Sequence, residues 1–198
     1  MPKPFNLRRG KLFELIKSRS AKYAARVKPY TGRIVKVAGV RDVTQLLSIP
    51  YVVVGGHALA MHGHSRATDD VDILVNPSDV QQAMTDLGGK PMGVITIGGQ
   101  AITMPDGLEV DLLAPSEPWV AQAVASGVET QHGRVISKPY LVLMKLWASR
   151  GAQEDMDMMV MLKSMTPVEL KLTKGLVRQF LPNDVADLKN MLDYAKYV

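Results

Sequence analysis

The chain has 198 residues, of which 46% are apolar and 22% charged, and it contains no cysteine. This is the composition of an ordinary globular protein, and the length allows one domain or a core domain with a smaller subdomain. The missing cysteines exclude disulfides, thiolate zinc sites and a cysteine nucleophile. No apolar run approaches the roughly 20 residues that cross a bilayer, and the basic N-terminus lacks the apolar stretch of a secretory signal. We therefore expect a cytoplasmic protein.

The net charge of +5 is unevenly distributed along the chain. Residues 1–41 carry twelve Lys and Arg against one acid, Glu14, which is a charge of +11. Residues 42–198 carry twelve Lys and Arg against eighteen Asp and Glu, which is a charge of −6. We interpret residues 1–41 as a basic N-terminal helix or arm that meets a polyanion. The alternative is an amphipathic helix whose basic outer face serves solubility alone.

The first half of the chain is predicted to alternate helices and strands. The β-branched run Val52–Val54 is typical of a buried strand, and the Gly55–Gly56 pair after it indicates a tight turn into a helix. Ser78 is a good N-cap for a later helix, which Gly88–Gly89 would end. The expected elements are helices over 10–27, 41–48, 57–62 and 79–87 and strands over 33–38, 51–54 and 71–75.

The second half is predicted to change from strands to helices. Pro105-Asp106-Gly107 is a strong hairpin signal between strands over 101–104 and 108–113, and residues 94–97 are a further strand candidate. From Ser116 onward helical patterns dominate. The expected helices are 117–126, one that begins at Pro139, 154–164, 167–180, and 183–196 with Asn183 as its cap.

Three aspartates in this part of the sequence indicate a cation site. Asp70 and Asp72 alternate along one strand, so both side chains point the same way, roughly 6–7 Å apart. Two such carboxylates repel unless a cation lies between them, and a hard ion such as Mg²⁺ prefers oxygen ligands. Asp111 is a third acid in a strand otherwise made of core residues. If the two strands pair, the three carboxylates converge and can hold two metal ions for in-line attack at phosphorus.

Several residues around the first two aspartates are suited to phosphate. Gly55 and Gly56 let the backbone approach a ligand, and the helix that follows offers free N–H groups. Arg66 lies four residues before Asp70, and its guanidinium could clamp a triphosphate oxygen. We expect Thr68, two residues before Asp70, to bind the nucleotide as well. Taken alone, a glycine pair also marks ordinary turns, and a loop arginine is often only a surface residue.

The sequence YVVVGGHALAMHGHSRATDDVDILV over residues 51–75 resembles the signature of the nucleotidyltransferase fold, the DNA polymerase beta superfamily. Its fuller pattern, GG-x-A-x(3)-HG-x(2)-R-x-T-x-D-x-D, is similar to the type IV toxin AbiEii family and related stand-alone nucleotidyltransferases. The resemblance implies an α+β fold, with a mixed sheet flanked by helices and a C-terminal helical subdomain. It implies that Gly55 and Gly56 lie at the nucleotide phosphates, that Asp70 and Asp72 bind Mg²⁺, and that Asp111 is the third acid.

A second block, LVLMKLWASRGAQEDMDMMVML over residues 141–162, resembles the later helices of that family. The resemblance implies that Lys145 binds the nucleotide and takes part in catalysis, and that Asp155 is a late acid. The family pattern expects a further acid three residues after Asp155, where this chain has Met158.

The resemblance implies transfer of a nucleoside monophosphate from a nucleoside triphosphate to an acceptor hydroxyl, with Mg²⁺ or Mn²⁺ as cofactor. The corresponding domains are a basic arm (1–41), a nucleotidyltransferase core (42–115) and a helical subdomain (116–198). We expect RNA, in particular tRNA, as the acceptor that meets the basic segment, and an antitoxin protein as a further partner. The alternatives are a small-molecule nucleotidyltransferase of the antibiotic type, a protein AMPylase and a non-catalytic partner-binding module.

Overall fold

A seven-stranded mixed sheet forms the centre of the part that the computed structural model describes, which is residues 37–64, 68, 70–148 and 152–195. Its spatial order is β3-β4-β5-β2-β1-β7-β6, in which β2 and β5 are parallel, β1 and β7 are parallel, and all other neighbours are antiparallel. The strands are β1 (Tyr51–Val53), β2 (Val71–Val75), β3 (Lys90–Val94), β4 (Gly99–Thr103), β5 (Glu109–Leu113), β6 (Val128–Thr130) and β7 (Gly133–Val135).

Helices lie before, between and after these strands, which confirms the expected α+β class with a mixed sheet flanked by helices. Among the described residues the longest helices follow β7, as predicted for the chain from Ser116 onward. The described helices are α1 (Val37–Thr44), α2 (Gly55–Met61), α3 (Val80–Leu87), α4 (Val120–Ala125), α5 (Lys138–Ala148), α6 (Ala152–Lys163), α7 (Pro167–Phe180) and α8 (Val185–Tyr194). None of them combines the length and apolarity that a bilayer-crossing helix needs.

The two faces of the sheet enter different hydrophobic cores. Val53 and Ile73 pack on the face covered by α1 and α3, whereas Val52 and Leu74 pack on the face covered by α4, α5 and α6. Each fully buried residue of this size contributes about 1.5–3 kcal/mol to folding. Since side chains alternate along a strand, Asp72 shares the face of Leu74 and therefore points toward α5 and α6.

The predicted β4–β5 hairpin is confirmed around Pro105-Asp106-Gly107. Gly107 adopts a φ of +83°, and the Asp106 carboxylate accepts the backbone N–H of Leu108 at 3.1 Å. Residues of this turn type fix the antiparallel register, which pairs Ala101 with Asp111. The hairpin thereby places β5 between β4 and β2.

Several expectations about local structure need correction, among them Ser78 as an N-cap, because Asp79 holds that position at the start of α3. The strand predicted over 33–38 overlaps α1, which already begins at Val37. The strand predicted over 94–97 ends at Val94, because residues 95–98 form the hairpin tip, with Gly98 and Gly99 at φ +103° and +115°. The helix predicted from His57 begins at Gly55. Asn183 is not the cap of the last helix, because a 3-10 turn (Pro182–Asp184) precedes α8.

The β6–β7 hairpin over 128–135 is an element that the sequence analysis did not anticipate. Its strand β7 pairs with β1 through Val53 and Val135, so the sheet takes strands from both sides of the boundary proposed at 115/116. The division into 42–115 and 116–198 stays a prediction. The basic segment 1–41 and the helix expected over 10–27 lie outside the described residues, apart from residues 37–41 at the start of α1.

Candidate metal and nucleotide site

The pairing of β2 with β5 brings three carboxylates together. Asp72 and Asp111 are direct partners in the parallel register, and Asp70 comes just before the first residue of β2. One carboxylate oxygen from each of the three aspartates lies within 4.8 Å of the other two. Val110 and Leu112 beside Asp111 are fully buried on the opposite face, as the alternation in LEVDLL predicts. The structure therefore brings the three carboxylates together, which was the condition for the cation site predicted from the sequence.

This cluster has the donor chemistry of a divalent cation site. All three residues are partly exposed, so an ion can reach their oxygens. Carboxylates at roughly 4 Å repel each other by about 1 kcal/mol in water and about 4 kcal/mol in a protein-like dielectric. A hard cation that takes oxygen ligands removes this repulsion, so Asp70, Asp72 and Asp111 fit Mg²⁺ or Mn²⁺.

Gly55 allows the Asp72 carboxylate to come unusually close to the backbone. It adopts a φ of +63°, and a Cβ built on it would lie 1.8 Å from Asp72 Oδ2. The backbone N–H of Val54 donates to the carbonyl of Asp72 at 2.9 Å and fixes the approach. Gly56 is similarly tight, since its Cβ would lie 2.9 Å from Cβ of Thr68. Gly55 therefore makes room for Asp72, and Gly56 makes room for Thr68, two residues before Asp70.

Thr68 orients one of the three acids. Its hydroxyl donates to Asp70 Oδ1 at 2.7 Å. Thr68 is predicted from the sequence to bind the nucleotide. In the structure it lies against Asp70 and lines the same cavity as the three aspartates. Arg66, which the same analysis assigned to phosphate, lies outside the described residues.

The acids and the glycines line a cavity of about 250 Å³ that has two chemically different halves. One half carries Asp70, Asp72 and Asp111 beside Gly55 and Gly56. The other half is apolar and consists of Ile95, Ile97, Leu113, Leu141, Met144 and Ala148. Such a cavity suits a ligand with a charged end and a flat or apolar end.

Lys145 lies at this cavity and forms a buried ion pair between two helices. Its Nζ lies 2.8 Å from Asp157 Oδ2, and the side chains of Lys145 and Asp157 are 10% and 9% exposed. The sequence analysis named Asp155 as the late acid, but Asp155 is exposed and is not among the residues that line the cavity. The buried acid that sequence reasoning passed over is Asp157.

Two histidines connect α2, the helix that begins at Gly55, to the helical segments that follow β7. The ring of His62 is hydrogen-bonded through Nε2 to the carbonyl of Ile136 at 2.7 Å, just before α5, and His64 Nε2 lies 3.0 Å from Ser164 Oγ. Burial lowers the pKa of His62 below its ordinary 6.5, the hydrogen bond to Ile136 opposes that shift, and nearby Lys138 adds to it. Burial also lowers the pKa of His64. Both rings therefore favour the neutral form in the fold.

No family model matches the chain, and no curated protein matches it in sequence. Several solved structures are similar to the chain. The antibiotic-resistance factor ANT(2'')-Ia is 15% identical over 78% of this chain and 91% of its own, with a TM-score of 0.48. The lincosamide antibiotic adenylyltransferase LnuA, solved with lincomycin bound, is 17% identical over 68% of this chain and 100% of its own, with a TM-score of 0.47. JHP933 from Helicobacter pylori is 13% identical over 78% of this chain and 79% of its own, with a TM-score of 0.44. At such identities and TM-scores the likeness does not extend to substrate or acceptor.

Proposed function

We propose that this protein is a nucleotidyltransferase that moves a nucleoside monophosphate from a nucleoside triphosphate to an acceptor hydroxyl and depends on a divalent cation. The observation that carries the proposal is the convergence of Asp70, Asp72 and Asp111 within 4.8 Å, at a cavity that Gly55 and Gly56 also line. The sequence pattern over residues 51–72 supports it independently, because glycine pair, helix and Asp-x-Asp occur in the order found at such sites.

In the proposed reaction the acceptor oxygen attacks the α-phosphorus, an O–P bond forms, and the bond to the β-phosphate oxygen breaks to release pyrophosphate. Asp70 and Asp72 would hold the cation with Asp111, and Thr68 keeps Asp70 in the required orientation through its 2.7 Å hydrogen bond. When bound, the cation would neutralise phosphate charge and support the attack. The acceptor hydroxyl would lie near Asp111, which helps deprotonate it or holds a second cation.

The rest of the cavity positions the nucleotide. Gly55 and Gly56 line the cavity where the phosphates would bind, and the ammonium of Lys145 lies at the cavity wall. The apolar lining around Ile95, Ile97 and Met144 is suited to the base. Arg66 stays the phosphate ligand that its place four residues before Asp70 predicts, and Asp155 stays the late acid that the resemblance implies. Most of the rate would come from positioning and charge neutralisation.

We propose RNA, with tRNA as the first candidate, as the acceptor, because residues 1–41 carry a charge of +11. Contacts to phosphates dominate affinity for nucleic acid and weaken steeply with salt. A small-molecule acceptor or a protein hydroxyl needs no such segment. A role as a toxin restrained by an antitoxin would follow from modification of an essential RNA.

The metal assignment is tested with Asp70→Asn and Asp72→Asn, and Asp106→Asn in the β4–β5 turn is the matched control. Labelled nucleoside triphosphates are incubated with Mg²⁺ and total RNA, and Mn²⁺ binding is followed by electron paramagnetic resonance. We expect the two site variants to lose at least about a hundredfold in nucleotide incorporation and to bind Mn²⁺ weakly, while the control keeps both. Full activity and full Mn²⁺ binding in both site variants would refute the assignment.

The acceptor is identified in the same reactions by where the label appears. A labelled band at the size of tRNA supports RNA, whereas label on the protein or on a small molecule contradicts it and selects the alternative. The variant Arg8→Gln/Arg9→Gln/Lys11→Gln in the full chain should flatten the salt dependence of tRNA binding, because three phosphate-facing charges are lost. An unchanged salt slope would show that the basic segment does not bind RNA.

A further inference from the structure

A second and larger recess lies among the three last helices. It has a volume of about 650 Å³ and is bounded by α6, α7 and α8. Its floor is apolar and consists of Leu162, Leu170, Val185, Leu188 and Leu192. None of the described residues that line this recess, which we call the helical groove, lines the cavity of the three aspartates. The two can therefore be tested separately.

The rim of the helical groove is positively charged, whereas residues 42–198 as a whole carry a negative net charge. Lys163, Lys174, Arg178 and Lys189 line it and are exposed, whereas Asp193 is the one acid among the described residues that line it. Residues 42–198 as a whole carry a charge of −6, so four cations around one apolar floor are a local concentration of positive charge. This arrangement favours a ligand that is apolar along one side and acidic along its edges.

The chemistry of the groove argues against two other occupants. The basic segment 1–41, with a charge of +11, would be repelled by the four cations. RNA held in a groove stacks its bases on aromatic side chains, and the described lining of this groove contains none. Leucine and valine floors between helices are instead typical of grooves that take an amphipathic helix.

We propose that the helical groove is a docking site for an acidic amphipathic helix of a partner protein. The apolar face of the partner helix packs on Leu170, Leu188 and Leu192, and its acidic residues meet Lys163, Lys174, Arg178 and Lys189. The interaction buries the exposed part of the apolar floor and pairs cations that face solvent in the isolated chain. It is separate from nucleotidyl transfer and does not depend on that proposal.

The probe is a synthetic helical peptide of about 18 residues with Leu at positions i, i+3, i+4 and i+7 and Glu on the other faces. The comparison peptides are a scrambled sequence of the same composition and a version with Lys in place of Glu. Binding to the full chain is measured by fluorescence anisotropy at low and high salt. The protein variants are Lys174→Glu and Arg178→Glu, and Lys90→Glu on the exposed strand β3 is the matched control.

We expect the acidic amphipathic peptide to bind at least about tenfold more tightly than either comparison peptide, because both its charge and its apolar face are required. Lys174→Glu and Arg178→Glu should each weaken binding by about fivefold or more, and Lys90→Glu should not. The thermal midpoint and nucleotide incorporation of these exposed-site variants should match those of the unchanged chain, which separates loss of docking from loss of folding or of catalysis.

Four results would overturn the proposal. Absence of binding of the acidic amphipathic peptide would do so directly. Equal binding of the scrambled peptide would mean that charge alone attracts it. A single-stranded RNA that binds with the same dependence on Lys174 and Arg178, or self-association of the chain that Arg178→Glu abolishes, would assign the groove to a different occupant.

Discussion

The two walls of the 250 Å³ cavity are held in place by different forces. On the sheet wall, formed by Gly55, Asp72 and Asp111, the backbone ladder between β2 and β5 and the close approach at Gly55 fix the carboxylates. On the helix wall Lys145 lines the cavity, and its buried ion pair with Asp157, which is not among the described lining residues, joins α5 to α6. The sheet wall is therefore sensitive to a single added atom, whereas the helix wall is sensitive to a change of charge.

The largest expected effect comes from a change in the sheet wall that replaces no charged residue. In Gly55→Ala the new Cβ would lie 1.8 Å from Asp72 Oδ2, so the carboxylate must move. Displacement of a reacting group by about 1 Å can cost about a hundredfold in rate, and we expect a loss of nucleotide incorporation of at least that size. Rate and thermal midpoint are measured together.

The matched control for this change is Gly88→Ala at the end of α3. Gly88 has a φ of +61°, almost the value of Gly55, but nothing lies within 4 Å of its added Cβ. Both variants bear the cost of about 1 kcal/mol for a left-handed alanine, and only Gly55→Ala displaces Asp72. Equal activity in the two variants would contradict the argument that close approach at Gly55 positions the aspartate.

The next effect tests the helix wall through stability. Asp157→Asn removes the counter-charge 2.8 Å from the buried ammonium of Lys145, and Lys145→Met removes the cation of the same pair. Each single change should lower the free energy of unfolding by about 3–5 kcal/mol, whereas the double variant Lys145→Met/Asp157→Leu should recover part of this loss. Urea unfolding of the unchanged chain, Lys145→Met, Asp157→Leu and the double variant gives the coupling between the two groups.

An exposed ion pair in the same protein provides the reference. Arg134 and Glu129 lie 3.2 Å apart with side chains 32% and 74% exposed, and Glu129→Gln should cost less than about 1 kcal/mol. If Asp157→Asn is as mild as Glu129→Gln, the Lys145–Asp157 pair does not hold the two helices together. Loss of incorporation in Lys145→Met/Asp157→Leu, with stability regained, would separate a role at the nucleotide from a role in folding.

The direction of the aspartates in the sheet wall could be predicted from sequence, because the side chains of a strand alternate between its two faces. The alternation in VDILV and LEVDLL is sufficient to put Asp72 and Asp111 on one face, and Pro105-Asp106-Gly107 fixes the hairpin that carries β5. The parallel pairing of β2 with β5 was a condition that only the tertiary structure could meet. The β6–β7 hairpin was missed because its short strands, with Glu129 and Arg134 paired across them, lack an apolar alternation.

The acid that pairs with Lys145 on the helix wall could not be predicted from sequence, because helix periodicity does not select between Asp155 and Asp157. Residues two apart on a helix point roughly 200° apart, so only one of the two can face α5. Met158, Met159 and Met161 are all buried and lie on more than one side of α6, which hides the inward face in the sequence. The family pattern placed the acid at Asp155, and packing of α6 on α5 brings Asp157 to Lys145 instead.

The smallest expected effect concerns the link between the two walls, His62, whose ring joins the end of α2 to the carbonyl of Ile136 ahead of α5. Burial holds the pKa of His62 below 6.5, so the unfolded chain takes up a proton more readily than the fold does. The free energy of unfolding should therefore decrease as the pH falls below about 6.5, until the lowered pKa of the folded state is reached. In His62→Gln the amide can still donate to Ile136 but does not titrate, so the decrease in the free energy of unfolding should become shallower. His64→Gln should make it shallower by a smaller amount, because burial lowers the pKa of His64 as well.

His132→Gln, in the β6–β7 turn, is the control for removal of a histidine. A pH dependence that is the same in His62→Gln and in the unchanged chain would mean that the ring between the two walls contributes no pH-dependent stability.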